Sequence, residues 1–466
     1  MSDILNLQKE IKDRKIPISN FIENAKKTIK SQDIYNSVIN YVENHNHINN
    51  PNSILNGIPY AVKDNINVFN SITTGGSRFF ENFNSPYNAT IIDLLNSAGA
   101  IPIVKANLDE FGLGGDGLYS GYGDVINPFD SKRISGGSSS GPAVLVAKKL
   151  VPFALGTDTG DSIRKPASFM GIIGYKPTYG LISRNGVFPY SPSIDHVGLL
   201  ANHLSDIAIV LDVIVKHDIN DFSSQKLESF NFYKNLNEVD KVKKSKIVIF
   251  KNILNYSSKE AQAIFYKKIK KLETYFDIDF LDFDISLLSL VPVIYKIISY
   301  SEAVSCYQNL TGIPFGEKSS EKDYEQKVND IRKKTLGAEI KKRFVFGAYC
   351  TSSKNYESIF LKSKKIRTLI IDECNLVFSK HDFVISLGAS DIAPLVVDVK
   401  NGVKYTTLCD DYLQFANFGG YPSITIPMDK IDNNFIGLNI MANINDDLKL
   451  LQISNLITTI WGEKND

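Results

Sequence analysis

Residues 135–164 read SGGSSSGPAVLVAKKLVPFALGTDTGDSIR, and this stretch decides the fold. Loops rich in glycine and small polar residues stand at both of its ends, at 135–141 and 156–164. Between them, residues 142–150 are predicted to form a helix, because the proline at its start loses no hydrogen bond there. The short apolar segment VPFAL at 151–155 indicates a buried strand. A helix followed by a buried strand is typical of an α/β protein.

Short apolar segments continue this alternation on both sides. Strands are predicted at 58–62, 101–106, 246–250, 383–387, 423–427 and 436–442, and a helix at 89–98. The predicted fold class is therefore α/β, a single large domain with a central mixed β-sheet covered by helices on both faces. Residues 1–50 are predicted to be an N-terminal helical segment. Residues 51–466 are predicted to be the main domain, with a mainly helical insertion around 285–380.

The composition excludes several classes of protein. In 466 residues, 52 Lys+Arg against 51 Asp+Glu give a net charge of +1, which excludes a uniformly basic nucleic-acid coat and an acidic disordered chain. The four cysteines are far apart and form no CxxC pair, so we expect no disulfide framework or zinc cluster, and a reducing compartment. His45 and His47, in the polar run NHNHINNPN, are predicted to lie in a solvated loop.

The apolar pattern predicts a cytosolic protein that makes no contact with a membrane. The N-terminal sequence MSDILNLQKEIKDRK is charged and lacks the apolar core of a signal peptide. The apolar stretch 287–300 is interrupted by Lys296. No uninterrupted apolar run approaches the about 20 residues that span a bilayer.

The two glycine-rich loops could bind an anion, because such loops bring backbone N–H groups close together. A phosphate-binding P-loop ends in Gly-Lys-Ser/Thr, whereas Gly141 is followed by Pro142. Gly112, Gly114 and Gly117 match GxGxxG, but no helix obviously begins there, which disfavours dinucleotide binding. For either loop alone, a simple glycine turn between a strand and a helix stays open.

A serine nucleophile beside an oxyanion hole is a further interpretation. Ser162 directly follows Thr159, Gly160 and Asp161 in the second loop. The adjacent backbone N–H groups of these residues could face one developing oxyanion. This arrangement would suit acyl transfer.

A serine hydroxyl needs a base at neutral pH. His196 is the nearest histidine, but neither loop contains one. Lys63 follows an apolar strand and is the alternative base, if burial lowers its pKa from about 10.4 toward neutrality. A lone histidine is more often structural and a lysine at a strand end is more often solvated, so the residues alone leave the base undecided.

Three motifs in order resemble those of the amidase signature family: GIPYAVKDN (57–65), the GGSS loop (136–139) and GTDTGDSIR (156–164). The resemblance implies a Ser–cis-Ser–Lys hydrolase. In this chain Lys63 resembles the base, Ser138 the bridging cis-serine and Ser162 the nucleophile. The implied oxyanion donors are the backbone N–H groups of the residues before Ser162.

Within the family, the chain most resembles the glutaminase subunits of tRNA-dependent amidotransferases. The segments that carry this likeness are VKANLDEFGLG (104–114), NPF (127–129), GYKPTYGLISRNGV (174–187) and SIDHVG (193–198). It implies hydrolysis of glutamine to glutamate and ammonia, which a partner subunit uses to amidate Glu-tRNA(Gln), Asp-tRNA(Asn) or both. It also implies subunits B and C as partners, no cofactor or metal in this chain, and ATP and Mg²⁺ at the partner subunit.

The same resemblance implies three substrate-binding residues. Arg343, in EIKKRFVFG, resembles the arginine that holds the α-carboxylate of glutamine. Asp410 resembles the acid that holds the α-amino group, and Asp411 could replace it after a one-residue slip. Tyr295 is a third candidate.

The chain departs from the family pattern in both serine loops. Asp161 and Ser140 stand where the family usually has glycine, and Pro142 stands where a small residue is common. A carboxylate beside the oxyanion donors could repel the developing anion, so we expect the Asp161 side chain to point away from it. A stand-alone amidase acting on a small carboxamide, and a scaffold subunit disabled at Asp161, stay open as alternatives.

Overall fold

A computed structural model describes residues 2–14, 17–43, 48–226, 230–313 and 315–462. His45 and His47 lie outside the described residues. Within them, eleven strands form one sheet: β1 (Val38–Tyr41), β2 (Pro59–Lys63), β3 (Ile101–Ala106), β4 (Phe153–Asp158), β5 (Ile173–Lys176), β6 (His196–Ala201), β7 (Lys246–Phe250), β8 (Asp277–Leu281), β9 (Phe383–Leu387), β10 (Ser423–Ile431) and β11 (Asn434–Ala442). Their order across the sheet is β1-β3-β2-β4-β6-β5-β10-β11-β9-β7-β8.

The helices of the described residues connect these strands. They are α1 (Asp3–Arg14), α2 (Ile18–Gln32), α3 (Thr90–Ser97), α4 (Ser140–Ala147), α5 (Arg164–Met170), α6 (Leu204–Ile214), α7 (Phe232–Asn235), α8 (Lys251–Leu254), α9 (Lys259–Lys270), α10 (Ile285–Tyr307), α11 (Tyr324–Thr335), α12 (Ala338–Thr351), α13 (Lys362–Phe378), α14 (Val396–Lys400), α15 (Leu408–Asp411), α16 (Phe415–Gly419) and α17 (Asp447–Gly462). A π-helical segment, Tyr356–Leu361, precedes α13.

The sheet is mixed, and both of its faces are covered. Strand β2 pairs in parallel with β3 and β4, and β7 with β8 and β9, while the other neighbours are antiparallel. Along β2, Tyr60 and Val62 pack in one hydrophobic cluster and Ala61 in another, because successive side chains of a strand point to opposite faces. The predicted α/β fold class with a central mixed sheet is confirmed.

Local boundaries differ from the prediction around the two serine loops. Strand β4 starts at Phe153 and continues to Asp158, so it includes the first three residues of the predicted loop. The reason is its antiparallel pairing with β6, which extends from Phe153 opposite Ala201 to Asp158 opposite His196. Helix α4 begins at Ser140, two residues before the predicted start.

The N-terminal region contains more than helices. The sequence predicts a helical segment over residues 1–50, and the structure has α1, α2 and also strand β1 there. Strand β1 pairs with β3 and forms one edge of the sheet. Strand β8, with the sequence DIDFL, forms the other edge, and its residues are alternately exposed and half-buried. Helices α10 to α13 lie between β8 and β9 in the chain.

One helix of the described residues, α10, is long and apolar enough to cross a membrane, judged by length and composition alone. The apolar pattern of the sequence did not indicate it, because Lys296 interrupts its apolar stretch. Leu288, Val291 and Ile294 of α10 are buried in the same hydrophobic cluster as β2 and β4. These contacts are those of a core helix.

Candidate active site

Two neighbouring parallel strands bring the predicted catalytic residues together. Lys63 is the last residue of β2, and the loop that contains Ser162 follows β4. Because β2 and β4 are parallel neighbours, their carboxyl ends meet at the same edge of the sheet. Ser138 lies just before α4, and the Gly137–Ser138 peptide bond is cis.

The amino group of Lys63 is fully buried among hydroxyl groups. Its Nζ lies 2.8 Å from Ser138 Oγ, 2.9 Å from Ser139 Oγ and 2.8 Å from Thr157 Oγ1. Burial lowers the pKa of Lys63 to about 7, although nearby carboxylates, led by Asp109, act in the opposite direction. A substantial fraction of this lysine is therefore neutral near pH 7 and able to accept a proton.

The two serine loops are in direct contact. The backbone N–H of Ser139 donates to the carbonyl of Ser162 at 3.1 Å, and Ser162 is 4% exposed. Among the described residues, no hydrogen bond joins Ser162 Oγ to Ser138 Oγ. The structure thus brings Lys63, Ser138 and Ser162 to one place, with the Lys63–Ser138 contact formed.

The loop from Thr159 to Ser162 presents free backbone donors. None of its four N–H groups donates to another described residue. The carbonyl of Gly160 accepts a hydrogen bond from Arg164 Nη2 at 2.7 Å, and Thr159 Oγ1 donates to Asp195 Oδ1 at 2.7 Å. The loop is therefore anchored through its carbonyl and side chain while its N–H groups stay available for an anion.

A buried ion pair supports this loop. Asp158 and Arg164 are both fully buried, and Arg164 Nη2 lies 2.9 Å from Asp158 Oδ1. Burial alone would raise the pKa of Asp158, but Arg164 holds it below its ordinary value. Asn417 Nδ2 donates to the same carboxylate at 3.0 Å. Asp158 thus stays charged and fixes the start of α5.

Asp161 is accommodated without backbone strain. It is absent from the described non-glycine residues that have positive φ. Its Oδ2 forms an ion pair with Nζ of Lys165, one helical turn later. The sequence analysis did not identify Lys165, although an acid and a base four residues apart, as in DSIRK, are a recognisable signal.

Tyr295 of α10 lies against the 159–162 loop, and Arg343 of α12 lies beside Tyr300 of α10. A Cβ atom added at Gly160 would lie 2.8 Å from Tyr295 Oη, so this ring lies against the loop. The guanidinium of Arg343 lies 5.1 Å from the centroid of the Tyr300 ring, and its Nε donates to Glu339 Oε1 at 3.2 Å. The Arg343 side chain is 13% exposed, so the helix turns it toward the interior.

The two acidic candidates lie on α15. Asp410 accepts hydrogen bonds from the backbone N–H groups of Thr407 at 2.9 Å and Ser390 at 3.1 Å, so it also caps its own helix. Asp411 accepts a hydrogen bond from Gln414 Nε2 at 3.3 Å. Burial raises the pKa of Asp411 to about 7. The Asp410 carboxylate contributes to raising the pKa of Lys165, and the Lys165 cation offsets part of the rise in the pKa of Asp411.

A cavity of about 280 Å³ lies on the Thr157 side of the site. Its lining includes Thr157, Thr159, Phe111, Tyr190 and Asp195. Arg343, Asp410 and Tyr295 do not line this cavity. Of the predicted site residues, Thr159 lines this cavity, whereas Lys63, Ser138 and Ser162 do not.

Several residues of the site carry no motif of their own. Ser139 and Thr157 contact Lys63, and Tyr190 donates to Ser299 Oγ at 3.1 Å beside the Arg343 region. Ser139 follows Ser138 directly, so the loop sequence could have indicated it, whereas Tyr190 gave no such signal. Among the described residues, no group of three or more His, Cys, Asp or Glu is placed to hold a metal ion.

Comparison with known proteins gives a consistent result. A family model described as Amidase matches residues 24–451. The glutamyl-tRNA(Gln) amidotransferase A-subunit of Mycoplasma genitalium is 48% identical over 419 residues, which cover 89% of this chain and 88% of that protein. Its counterpart in Mycoplasma pneumoniae, which carries the same name, is 44% identical over 429 residues, covering 90% and 89%.

A solved structure agrees with these sequences. The crystal structure of the glutamyl-tRNA(Gln) amidotransferase A-subunit from Thermotoga maritima has a TM-score of 0.78 and 29% identity, and covers 94% of this chain and 93% of that one. The family model spans most of the chain, and the relatives match over most of both lengths. The chain therefore belongs to the amidase family.

Proposed function

We propose that this chain is the glutaminase subunit of a tRNA-dependent amidotransferase. The observation that carries the proposal is the 2.8 Å contact between the buried Lys63 Nζ and Ser138 Oγ, next to a loop with four free N–H groups. The likeness to the A-subunits of glutamyl-tRNA(Gln) amidotransferases supports the choice of substrate.

In the first step, Ser162 Oγ attacks the side-chain amide carbon of glutamine. Its proton passes through Ser138 to neutral Lys63, which the lowered pKa of this lysine makes possible. The backbone N–H groups of Thr159, Gly160, Asp161 and Ser162 stabilise the tetrahedral oxyanion.

In the second step, the intermediate collapses and the C–N bond breaks. Lys63 returns the proton through Ser138 to the departing ammonia, leaving a glutamyl ester on Ser162. Water then attacks this ester, with Lys63 again as base, and releases glutamate. The net reaction converts glutamine and water to glutamate and ammonia.

The substrate head group would be held on the Tyr295 side of the loop. Arg343 would pair with the α-carboxylate, and Asp410 or Asp411 with the α-amino group. Tyr295 would contact the substrate between them. The largely buried guanidinium of Arg343 supports an amino-acid substrate over an apolar amide.

The released ammonia would serve a partner subunit. In this proposal subunits B and C complete the complex, and the partner uses ATP and Mg²⁺ to activate Glu-tRNA(Gln) and/or Asp-tRNA(Asn) before amidation. The near-neutral charge of this chain agrees with tRNA contacts being made mainly by a partner. We expect the complex to act in the cytosol, a proposal supported by four cysteines that are all free.

The test is ammonia release from glutamine, measured with and without the partner subunits. Glutamine hydrolysis that is coupled to tRNA amidation supports the proposal. Hydrolysis of small carboxamides in preference to glutamine would instead indicate a stand-alone amidase. A folded chain that releases no ammonia in either setting would indicate a scaffold subunit.

Substitution of the nucleophile makes the test specific. Ser162→Ala should lower ammonia release at least about a thousandfold, because no other group can form the ester. The control is Ser379→Ala, at an exposed serine near the end of α13. Undiminished release by a folded Ser162→Ala chain would contradict the assignment.

A further inference from the structure

Asp161 places a negative charge in the loop that is proposed to stabilise a negatively charged intermediate. Its own backbone N–H is one of the four free donors. An oxyanion bound by this N–H would therefore contact the same residue that carries the carboxylate. An unpaired carboxylate there would oppose the charge that develops on the substrate oxygen.

Lys165 provides the opposite charge at that point. Its Nζ contacts Asp161 Oδ2, and its backbone N–H donates to the carbonyl of Asp161 at 2.9 Å. The Lys165 and Asp161 side chains are 5% and 16% exposed. Because they are largely buried, water and salt screen their interaction weakly.

The surroundings of Lys165 keep it charged. Burial alone would lower its pKa, but Asp161, followed by Asp410, raises the pKa of Lys165 above its ordinary value. Lys165 therefore carries its positive charge at neutral pH. It can cancel the Asp161 charge throughout the working range of the enzyme.

We propose that Lys165 is a positioning residue of the oxyanion loop, which holds the Asp161 carboxylate and neutralises its charge. The inference rests on the proposed function, because it takes Ser162 as the nucleophile. Lys165 touches no reacting atom in this scheme. Its effect reaches the oxyanion through Asp161.

The experiment is a double-substitution cycle at these two positions, measured as glutamine hydrolysis by the assembled complex. Lys165→Gln should lower kcat about tenfold or more, with a smaller change in KM, because the unpaired Asp161 carboxylate opposes the negative charge of the transition state. Lys165→Arg keeps the charge and should stay within a few-fold of wild type. Asp161→Asn combined with Lys165→Gln should recover most of the loss.

The pH profile distinguishes this role from a merely structural one. The charged and titratable groups that face Asp161 are Asp158, Arg164 and Lys165 from its own segment, Tyr295 from α10, Tyr405 from the 401–407 segment and Asp411 from α15. Burial already raises the pKa of Asp161, and loss of the Lys165 cation would raise it further. The kcat ratio of Lys165→Gln to wild type should therefore fall as the pH rises and Asp161 ionises. A flat ratio would contradict the proposal.

Two comparisons keep the test decisive. If Lys165→Gln does not fold, the double variant is compared with Asp161→Asn alone, and a tenfold or larger drop in kcat would overturn the role of Lys165. Failure of the proposed function would give a different result, because the Ser162→Ala variant would then still hydrolyse glutamine. The Lys165 variants are therefore interpreted once Ser162→Ala has been shown to abolish glutamine hydrolysis.

Discussion

Lys63 is completely buried, and this burial lowers its pKa toward neutrality. With a pKa of about 7, its neutral fraction grows as the pH rises through that value. The kcat/KM of glutamine hydrolysis should therefore rise between about pH 6 and 8 and then level off. The measurement is a pH profile of ammonia release at low glutamine concentration.

Substitution of Lys63 separates its charge from its basicity. Lys63→Ala should lower kcat about 10²- to 10⁴-fold, the usual contribution of a general base. Lys63→Arg should not restore it, because guanidinium stays charged and cannot accept the proton. An active arginine variant with an unchanged pH profile would show that Lys63 only positions the serines.

Arg343 is the residue on which amino-acid recognition is predicted to depend. Arg343→Lys should raise KM for glutamine about 10- to 100-fold, because an ammonium group cannot form the two parallel hydrogen bonds of guanidinium with a carboxylate. The KM for glutamine amide, which lacks the free carboxylate, should rise much less. The comparison of KM for the two substrates is the measurement, and equal changes would place the carboxylate elsewhere.

At the scale of elements, the junction between β4 and α5 depends on the Asp158–Arg164 ion pair. Arg164→Leu would leave a buried carboxylate without its partner, and we expect the free energy of unfolding to fall by about 3–5 kcal/mol. The control is Lys334→Gln, which removes an exposed ion pair with Asp330 and should cost less than about 1 kcal/mol. Denaturant unfolding measures both, and equal losses would contradict the prediction.

The strands that were predicted from the sequence are those with dense apolar side chains, such as β3 and β7. Strands β5 (IGYK) and β6 (HVGLLA) were not predicted from the sequence. Their pairing with each other explains the glycine in β6. A Cβ atom at Gly198 would collide with the backbone carbonyl of Tyr175. Such close approach between distant segments is a tertiary requirement that local propensity does not report.

The same limit applies to the candidate site. The motifs predicted Lys63, Ser138 and Ser162 as a set, because each stands in a distinctive loop or at a strand end. The positions of Tyr190 and Tyr295 depend on how α10 packs over the sheet, which no local pattern determines. Asp161 appeared as a departure in the sequence, and only its contact with Lys165 shows how the charge is balanced. The catalytic and binding roles themselves stay predictions.

At the scale of the whole molecule, the proposed complex divides glutamine hydrolysis from amide synthesis. The complex that contains Ser162→Ala should therefore still amidate its tRNA when ammonium is supplied, because the synthetic site receives the same nucleophile. Glutamine should not support the reaction in that complex. The measurement is the yield of amidated aminoacyl-tRNA with each nitrogen donor. Loss of both activities would mean that Ser162 matters to assembly.

We propose that residues 51–466 form the catalytic domain, with the helical insertion around 285–380, and that residues 1–50 close one side of it. The support is the contact of α1 with α6. Asp206 of α6 accepts hydrogen bonds from the backbone N–H groups of Asp3 at 3.0 Å and Ile4 at 3.3 Å. Strand β1 extends the sheet beyond β3.

The opposite edge of the sheet, β8, has a consequence for the behaviour of the chain at high concentration. An edge strand has unpaired backbone groups that can recruit a strand from another molecule. In β8 the exposed positions include Asp277 and Asp279, so two such edges would bring like charges together. These carboxylates oppose edge-to-edge aggregation, and they favour a protein that stays dispersed at high concentration.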